Sequence, residues 1–585
     1  MSEIKNRKSE NLANVTLFRT ANFFVHAFTP VVKTGTLPKA SGNETILERI
    51  RWTSTEKERL MAAQTRLLPQ VDTVTASQWH EISIPLGLEI LAVAVVLGII
   101  LVVQVMNLFN YPAYGAAEGT LMANAWSLLH GQITPGAYTF SQPPIGWGQI
   151  AGWLLLTGGT SSFGNAINSG RVLMIVLAIA SSLLLYLITS RMSGSRSAAL
   201  LAMVIYSLSI LSLVYRREVL FENIGVFWLL LSLCLITTGK SSLRTFVFAA
   251  VALGIAILSD EVFLCFLPVM LYAVWLYATP FQRQYSLLTF LYIVLVIVAI
   301  YVLYVWFSGQ LFPPGLIPFV NGSQESLIGG ILQIWQVPVV AGQFAENWNA
   351  WLKDAWLFLA AGIVAMALNI LGGVVNRFQL LAALLAATYC VVLLFSRTVY
   401  PFSIVPLLPF LALNIAVALN TPVRWVTKKI GFDLARALLW FLLIGALIPA
   451  SIQLAQPVLA QNDAVPQQQS LLWIRNNAPH NAVIITPSYL YSDLRDQGGA
   501  SNSAAFPNTY IYTDVVSDSL ITNVQLKQNW QNINFLVVDA TMLNDIRDSG
   551  QYELLDEAIH HGTLRTSFGN AQDGTLIQIY QVITT

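Results

Sequence analysis

Apolar residues form long runs between about residue 84 and residue 452, and short polar connectors separate these runs. A helix needs roughly 20 mostly apolar residues, with a range of about 17 to 25, to cross a bilayer. The pattern therefore predicts a polytopic helical membrane bundle with eleven spans, at Ile84–Phe109, Gly170–Ser190, Ser197–Val214, Glu222–Thr238, Thr245–Ser259, Val262–Ala278, Ser286–Phe307, Ala355–Leu371, Phe378–Phe395, Pro401–Leu419 and Ala437–Ile452.

One further apolar run, Pro144–Thr157, is shorter and is typical of an interfacial or re-entrant helix. Cytoplasmic loops collect Lys and Arg, and residues 1–83 carry eleven of them, so we expect a cytoplasmic amino terminus. If the short run does not cross the membrane, the small basic connectors between the predicted spans all lie on the same, cytoplasmic face as the amino terminus. Their cations are Arg191, Arg196, Lys240, Arg244, Arg283, Arg377, Arg424, Lys428, Lys429 and Arg436.

The composition changes from about Gln453 onward to that of a soluble domain. Helix-like segments ("SLLWIRNN", "ELLDEAIHH") alternate there with strand-like ones ("AVIITP", "INFLVVDA", "GTLIQIYQVI"), which predicts a small α/β domain. We expect three parts: a partly disordered cytoplasmic region at 1–83, a transmembrane domain at 84–452, and an extracytoplasmic α/β domain at 453–585. The transmembrane domain has outer loops at 110–169 and 308–353.

The composition of the 585-residue chain fits a plasma-membrane protein, since 55% of its residues are hydrophobic and 10% are charged. Soluble domains carry about 25% charged residues. A net charge of +1 argues against a nucleic-acid partner. All three cysteines, Cys234, Cys265 and Cys390, lie in apolar runs and are better explained as core residues than as disulfide partners.

Acidic residues are concentrated at the outer ends of the predicted helices. Glu118 begins an amphipathic segment directly after the first span, where the helix dipole favours an acid. Taken alone, it is better explained as a solvated helix-start acid than as a functional residue. The others on this face are Glu218, Glu222, Asp260, Glu261 and Asp354.

Several short patterns occur in an order that resembles the GT-C class of membrane glycosyltransferases. They are Glu118–Gly119, "AWSLLHG", "SQPP", a later arginine, "RREVLFENIGVFWLLLSL" and "RTVYPFSIVPLLPFLAL". The closest resemblance is to family 39, which includes protein O-mannosyltransferases and lipid A aminoarabinose transferases. It covers roughly Leu86 to Leu419 and, more loosely, the carboxyl-terminal domain.

The resemblance implies transfer of a sugar, with inversion, from a polyprenyl-phosphate donor in the membrane to an extracytoplasmic protein, lipid or glycan. It makes Glu118 the candidate base and Glu222 a second acid. A departing phosphate needs cations, and arginine binds phosphate in a bidentate manner. The candidate substrate-binding residues are Arg216, Arg217, Arg397, Gln142, Tyr138 and Tyr400. Snorkelling at a helix end is the alternative explanation for Arg216 and Arg217.

The chain departs from the family pattern at three places. Ala117 stands where relatives have Asp, and Gln142 stands where relatives often have Lys. Asp260–Glu261 replaces a common Lys, which makes this pair either a candidate site for a divalent metal such as Mg²⁺ or Mn²⁺, or a polar turn.

Two alternatives to an active glycosyltransferase follow from these departures and from the membrane topology. An inactive relative would bind lipid-linked sugar or act as a scaffold in the cell envelope. A transporter would have inverted repeats and acids in the middle of its helices, and the sequence shows neither.

Overall fold

The computed structural model describes residues 86–131, 143–238, 242–313, 315, 326–329, 343–396, 399–430, 433–496 and 506–582. All of them belong to one compact unit, Glu81–Thr585. The predicted region 1–83, three predicted site residues (Tyr138, Gln142 and Arg397) and most of the long loop 308–353 lie outside the described residues.

The apolar runs form the helices of the membrane bundle and of the loops that connect them. They are α1 (Leu86–Val105), α2 (Ala116–Leu129), α3 (Ile145–Thr157), α4 (Ala166–Ser193), α5 (Arg196–Leu208), α6 (Ile210–Tyr215), α7 (Phe221–Ile236), α8 (Leu243–Ile257), α9 (Leu267–Tyr277), α10 (Arg283–Phe307), α11 (Gln343–Gly372), α12 (Arg377–Phe395), α13 (Leu408–Ile430) and α14 (Asp433–Leu459). Two 3-10 helices, Glu261–Phe266 and Pro401–Leu407, lead into α9 and α13.

All eleven predicted spans coincide with helical segments. Six helices among the described residues are long and apolar enough to cross a membrane, and five more are shorter and apolar. The short run predicted to be interfacial forms α3, which has 13 residues. The predicted fold class is confirmed: the chain is a mainly helical, polytopic membrane protein with a small sheet.

Capping residues fix both ends of α4, the helix that carries Arg171. The Asn165 side chain accepts a hydrogen bond from the Asn168 backbone N–H and caps the first turn. Gly194, with a φ of +60°, ends the helix in the left-handed conformation that glycine adopts most easily. Between these caps, the apolar face of α4 packs against α5 and α7 in the main hydrophobic core.

The carboxyl-terminal residues form a five-stranded sheet in the order β2-β1-β3-β5-β4. Strands β1, β2 and β3 are parallel, whereas β5 runs antiparallel to both β3 and β4. The strands are β1 (Ile484–Thr486), β2 (Thr509–Ile511), β3 (Phe535–Asp539), β4 (Gly562–Phe568) and β5 (Ile577–Val582). The accompanying helices are α15 (Val465–Asn477), α16 (Ser488–Arg495), α17 (Tyr512–Ser517), α18 (Ala540–Ser549) and α19 (Glu553–His560).

The sheet domain packs directly on the segment that carries Glu118. Helix α16 lies against α2 so closely that a Cβ on Gly119 would stand 2.2 Å from the Tyr489 backbone nitrogen. Gln467 of α15 accepts a hydrogen bond from the Tyr114 N–H at 2.6 Å and donates one to the Tyr114 carbonyl at 2.9 Å. The sheet domain and the first loop therefore lie on the same side of the bundle.

Candidate functional site

Glu118 and Arg171 form an ion pair in which both side chains are fully buried. The Arg171 Nε donates to Glu118 Oε1 at 2.9 Å, and its Nη2 donates to Oε2 at 2.7 Å. Such a bidentate pair is among the strongest side-chain contacts in proteins. The two residues are 53 positions apart in sequence, and their ion pair joins the start of α2 to the first turns of α4.

The two Glu118 oxygens also accept backbone N–H groups. Gly115 donates to Oε2 at 3.0 Å, as the helix-start capping of α2 requires, and Val219 donates to Oε1 at 2.9 Å. Glu118 thus holds the loop between α6 and α7 in place. With four hydrogen bonds and no exposed surface, its carboxylate is fully occupied.

Arg171 uses its remaining N–H groups to hold the turn after α1. It donates to the carbonyl oxygens of Leu108, Pro112 and Ala113 at 3.2, 2.9 and 3.2 Å. The Tyr114 ring lies 4.9 Å from the Arg171 guanidinium carbon. The ion pair therefore fixes three separate segments at one end of the bundle.

Arg216 and Arg217 both point into the protein, and both are almost completely buried. Arg216 donates to the Ala178 carbonyl at 2.7 Å and lies 4.1 Å above the Tyr206 ring. This placement suits a residue that holds the loop to the bundle, and burial lowers the pKa of its guanidinium.

Arg217 differs because most of its donors are unused. Its Nη2 donates to the Val103 carbonyl at 2.6 Å, whereas Nε and Nη1 are buried without a partner within the described residues. Burial, with a contribution from the Arg171 charge, lowers the Arg217 pKa to about 10, so the group is still cationic at neutral pH. A buried guanidinium with two free donors is suited to binding an anion.

Four acidic side chains between α6 and α9 are only half-buried, which separates them from Glu118. They are Glu218, Glu222, Asp260 and Glu261. None of the four forms an ion pair with another described residue. Glu222 is in electrostatic range of Glu218 and of Asp260, so the acids form one cluster, which we call the open acid cluster.

Two members of the open acid cluster, Glu218 and Asp260, have raised pKa values. Burial raises the pKa of Glu218 well above its usual range, and the charges of Glu118 and Glu222 raise it further. Burial also raises the pKa of Asp260 to about 6, although a hydrogen bond from the Val262 N–H opposes this change. Carboxylates with raised pKa values are suited to accept and release protons near neutral pH.

Tyr111 connects the open acid cluster to the turn after α1. It is almost fully buried, and burial together with the charges of Asp463 and Glu218 raises its pKa to about 12. Its hydroxyl therefore stays protonated and can donate a hydrogen bond. Arg217 is also in electrostatic range of Tyr111.

Ala117 and Glu118 have opposite environments although they are neighbours. Glu118 is buried in the ion pair, and Ala117 is half-buried. Consecutive helical side chains point about 100° apart, so only one of two neighbours faces the core. The position at which the family pattern has Asp is thus the more accessible of the two.

Tyr400, a further predicted site residue, does not join this cluster through any described contact. Tyr400 is 56% exposed and stacks on Phe402 at a centroid distance of 5.3 Å. Asp260 caps the 3-10 helix before α9. Among the described residues, no group of three or more His, Cys, Asp or Glu side chains is placed to hold a metal ion.

Sequence reasoning missed the role of Arg171. Its signal was visible, since a single arginine inside an apolar run must find an acid or carbonyl oxygens. The identity of its partner could not be deduced, because several acids share that face of the bundle. Sequence reasoning also missed Tyr111 as a neighbour of Arg217.

The region that contains this site is similar in sequence to a known family. Residues 146–306 match the family of dolichyl-phosphate-mannose-protein mannosyltransferases. The predicted resemblance to family 39 of the GT-C class is confirmed. The match covers α3 to α10, which includes Arg171, Arg217 and the open acid cluster. At this general level the match supports glycosyltransferase activity.

Two solved structures are similar to this chain at low identity. The oligosaccharyltransferase of Archaeoglobus fulgidus is 12% identical over 84% of this chain and 74% of its own, with a TM-score of 0.49. ArnT of Cupriavidus metallidurans bound to undecaprenyl phosphate is 14% identical over 85% of this chain and 98% of its own, also with a TM-score of 0.49. No curated protein matches the chain. These identities are too low to transfer the role of any residue.

Proposed function

We propose that the protein transfers a sugar from a polyprenyl-phosphate donor to an extracytoplasmic protein, lipid or glycan acceptor, with inversion. The observation that carries this proposal is the buried Arg217, with two free donors, directly before Glu218, a half-buried member of the open acid cluster. An anionic leaving group and a carboxylate base are the two requirements of the reaction. The matched family, whose name specifies a dolichyl-phosphate-linked mannose, adds support.

The proposed reaction is a single displacement at the anomeric carbon. The acceptor hydroxyl oxygen forms the new bond while the bond from the anomeric carbon to the phosphate oxygen breaks. The lipid phosphate leaves with the electron pair and binds Arg217, with Tyr111 as an additional donor. The hydroxyl proton passes to a carboxylate of the open acid cluster, on the opposite side of the sugar from the phosphate.

Glu222 is the proposed base. It lies in the first turn of α7, is half-buried, and has no ion-pair partner within the described residues. Glu118, the base expected from the sequence, has every oxygen engaged by Arg171, Gly115 and Val219. We therefore assign Glu118 a positioning role: it holds the loop that carries Arg217 and Glu218.

The proposed orientation follows the distribution of positive charge. The amino terminus would be cytoplasmic, and the open acid cluster and the sheet domain would lie outside the plasma membrane. The donor's lipid chain would stay in the bilayer while its phosphate reaches Arg217 at the outer rim.

An inactive relative that keeps donor binding is the second candidate. Ala117 and the full engagement of Glu118 favour it, because together they leave the first loop without a free acid. In this case Arg217 would still bind the donor phosphate, but no sugar would be transferred.

The test is a transfer assay with the full-length protein in nanodiscs and a panel of radiolabelled polyprenyl-phosphate sugars, with added Mg²⁺ or Mn²⁺ or with chelator. Donor binding is measured in parallel. The proposal predicts turnover of at least one donor, and weaker donor binding by Arg217→Gln at an unchanged melting temperature. Binding without turnover would support the inactive relative, and neither binding nor turnover would refute both.

A further inference from the structure

Two arginines share one indole at the end of the bundle opposite to the open acid cluster. The guanidinium carbon of Arg283 lies 4.6 Å from the Trp275 ring centroid, and that of Arg377 lies 5.3 Å from the same centroid. Arg283 begins α10, and Arg377 begins α12. Two like charges thus lie beside a single half-buried ring.

These two charges have no compensating acid. Neither arginine forms an ion pair or a hydrogen bond with another described residue, and the Arg283 Nε is buried without a partner there. The connectors that precede them, residues 279–282 and 373–376, contain no Asp or Glu. A third cation, Arg191, lies in electrostatic range of the neighbouring Tyr277 and donates to the Cys234 carbonyl at 2.7 Å. Positive charges this close together, without an acid beside them, are stabilised when an anion binds between them.

Large apolar side chains next to the two arginines indicate that the anion belongs to a membrane lipid. Phe281 is 97% exposed, and Val374 and Val375 are 90% and 92% exposed. Each lies within three residues of one of the arginines. In a helical membrane protein, exposed apolar side chains next to cations at helix ends suit contact with the acyl region of the bilayer.

The aromatic residues at this end mark the membrane interface. Tyr272 stacks on Trp275 at 5.9 Å, and Tyr277 packs on Phe378 at 5.5 Å. Trp and Tyr are enriched at the boundary between headgroups and acyl chains, and Arg extends its cation to the headgroups. The two guanidinium groups therefore lie at the depth of lipid phosphates.

We propose that Arg283, Arg377 and Trp275 form a binding site for the headgroup of an anionic phospholipid. The lipid phosphate would accept hydrogen bonds from both guanidinium groups, and Trp275 would keep their planes in position. The acyl chains would cover Phe281, Val374 and Val375. This site is separate from the site proposed for sugar transfer, because the 3-10 helix Glu261–Phe266 and the first two turns of α9 separate Asp260 from Trp275 along the chain.

The test is native mass spectrometry of the full-length, detergent-purified protein titrated with phosphatidylglycerol or phosphatidylcholine. Wild type is expected to bind one phosphatidylglycerol in preference to phosphatidylcholine. A cation near the headgroups contributes about fivefold in affinity, so Arg283→Gln and Arg377→Gln should each lower phosphatidylglycerol binding by about that factor. Arg244→Gln, which removes an exposed cation from the first turn of α8, is the matched control and should leave binding unchanged.

Three outcomes would overturn the proposal. They are the absence of any preference for phosphatidylglycerol, an equal loss in the Arg244→Gln control, and complete displacement of the lipid by excess inorganic phosphate. The last would show that a soluble phosphate is the ligand. Because Arg377 is exposed, its substitution keeps the test valid even if Arg283→Gln fails to fold. Lipid binding is measured without any sugar donor, so the result is independent of the proposed transferase activity.

Discussion

The Glu118 carboxylate and the Arg171 guanidinium face each other in a bidentate ion pair, and neither side chain is exposed to solvent. The pair joins α2 to α4, and through the Val219 N–H it also holds the loop that carries Arg217 and Glu218. Its contribution is therefore to the shape of the site, and its loss should affect stability first.

Glu118→Ala should destabilise the protein strongly. Removing one partner leaves the Arg171 charge buried and uncompensated, which typically costs about 3–5 kcal/mol. Thermal unfolding in detergent measures the loss. Asp556→Asn is the control, since its pair with His560 is largely exposed and contributes little. An unchanged melting temperature in Glu118→Ala, with activity abolished, would instead identify Glu118 as a catalytic group.

Gly119→Ala should weaken the contact between the sheet domain and the bundle. The new Cβ would stand 2.2 Å from the Tyr489 nitrogen and 2.4 Å from the Ser488 carbonyl carbon, both backbone atoms that cannot rotate away. Overpacking of this kind costs about 1–3 kcal/mol. A lower melting temperature, and faster proteolytic cleavage between α14 and the sheet domain, would show that this contact is weaker. Gly148→Ala, on α3 with nothing within 4 Å, is the matched control and should not be destabilised.

Asp493 should make the stability of the protein depend on pH. It accepts a hydrogen bond from the Ala166 N–H at 2.9 Å, and burial raises its pKa to about 7, although Arg475 and that N–H act in the opposite direction and Asp496 adds to the increase. Between the unfolded pKa of about 3.9 and this value, the native state holds more protons. The Asp493 contribution to stability is therefore present at low pH and is lost as pH rises through this window.

Melting curves of wild type and Asp493→Asn at a series of pH values measure this effect. The asparagine cannot ionise, so its melting temperature should rise relative to wild type as pH increases from about 5 to about 8. Parallel curves over that range would show that Asp493 does not titrate there.

Ala117→Asp should raise the rate of sugar transfer, or create activity if wild type has none. Position 117 is half-buried next to the engaged Glu118, and the family pattern has an acid there. A positioned base contributes about 10²–10⁴-fold to a rate. Ala116→Asp adds the same charge at an exposed neighbouring position and should have no effect. Equal rates in wild type and both variants would show that position 117 does not face the reacting groups.

Much of the fold could be predicted because its signals are local. Apolar runs of membrane length predicted the helices, short apolar runs predicted β1 and β3, and an alternating segment predicted β5. β2 has three residues and β4 is mostly exposed, so neither has a clear hydrophobic pattern. The interfacial assignment of α3 rested on its length and on the parity of basic connectors.

The site was less predictable because its contacts join residues far apart in sequence. Asp493 and Ala166 are 327 positions apart, and Arg217 and Val103 are 114 apart. Sequence reasoning placed Arg216 and Arg217 in an outer loop facing the donor, yet Arg216 turns toward α4 and the Tyr206 ring. Which acid pairs with Arg171 depends on loop geometry that no local pattern specifies.

The most direct test of the proposed function compares sugar transfer by Glu222→Gln and by Glu553→Gln, an exposed acid of the sheet domain, in the full-length protein. If Glu222 is the base, its amide variant loses at least about 10²-fold in turnover, keeps donor binding and melts at the wild-type temperature, whereas Glu553→Gln retains full activity. Turnover by Glu222→Gln at the wild-type rate would contradict the proposed assignment of the base.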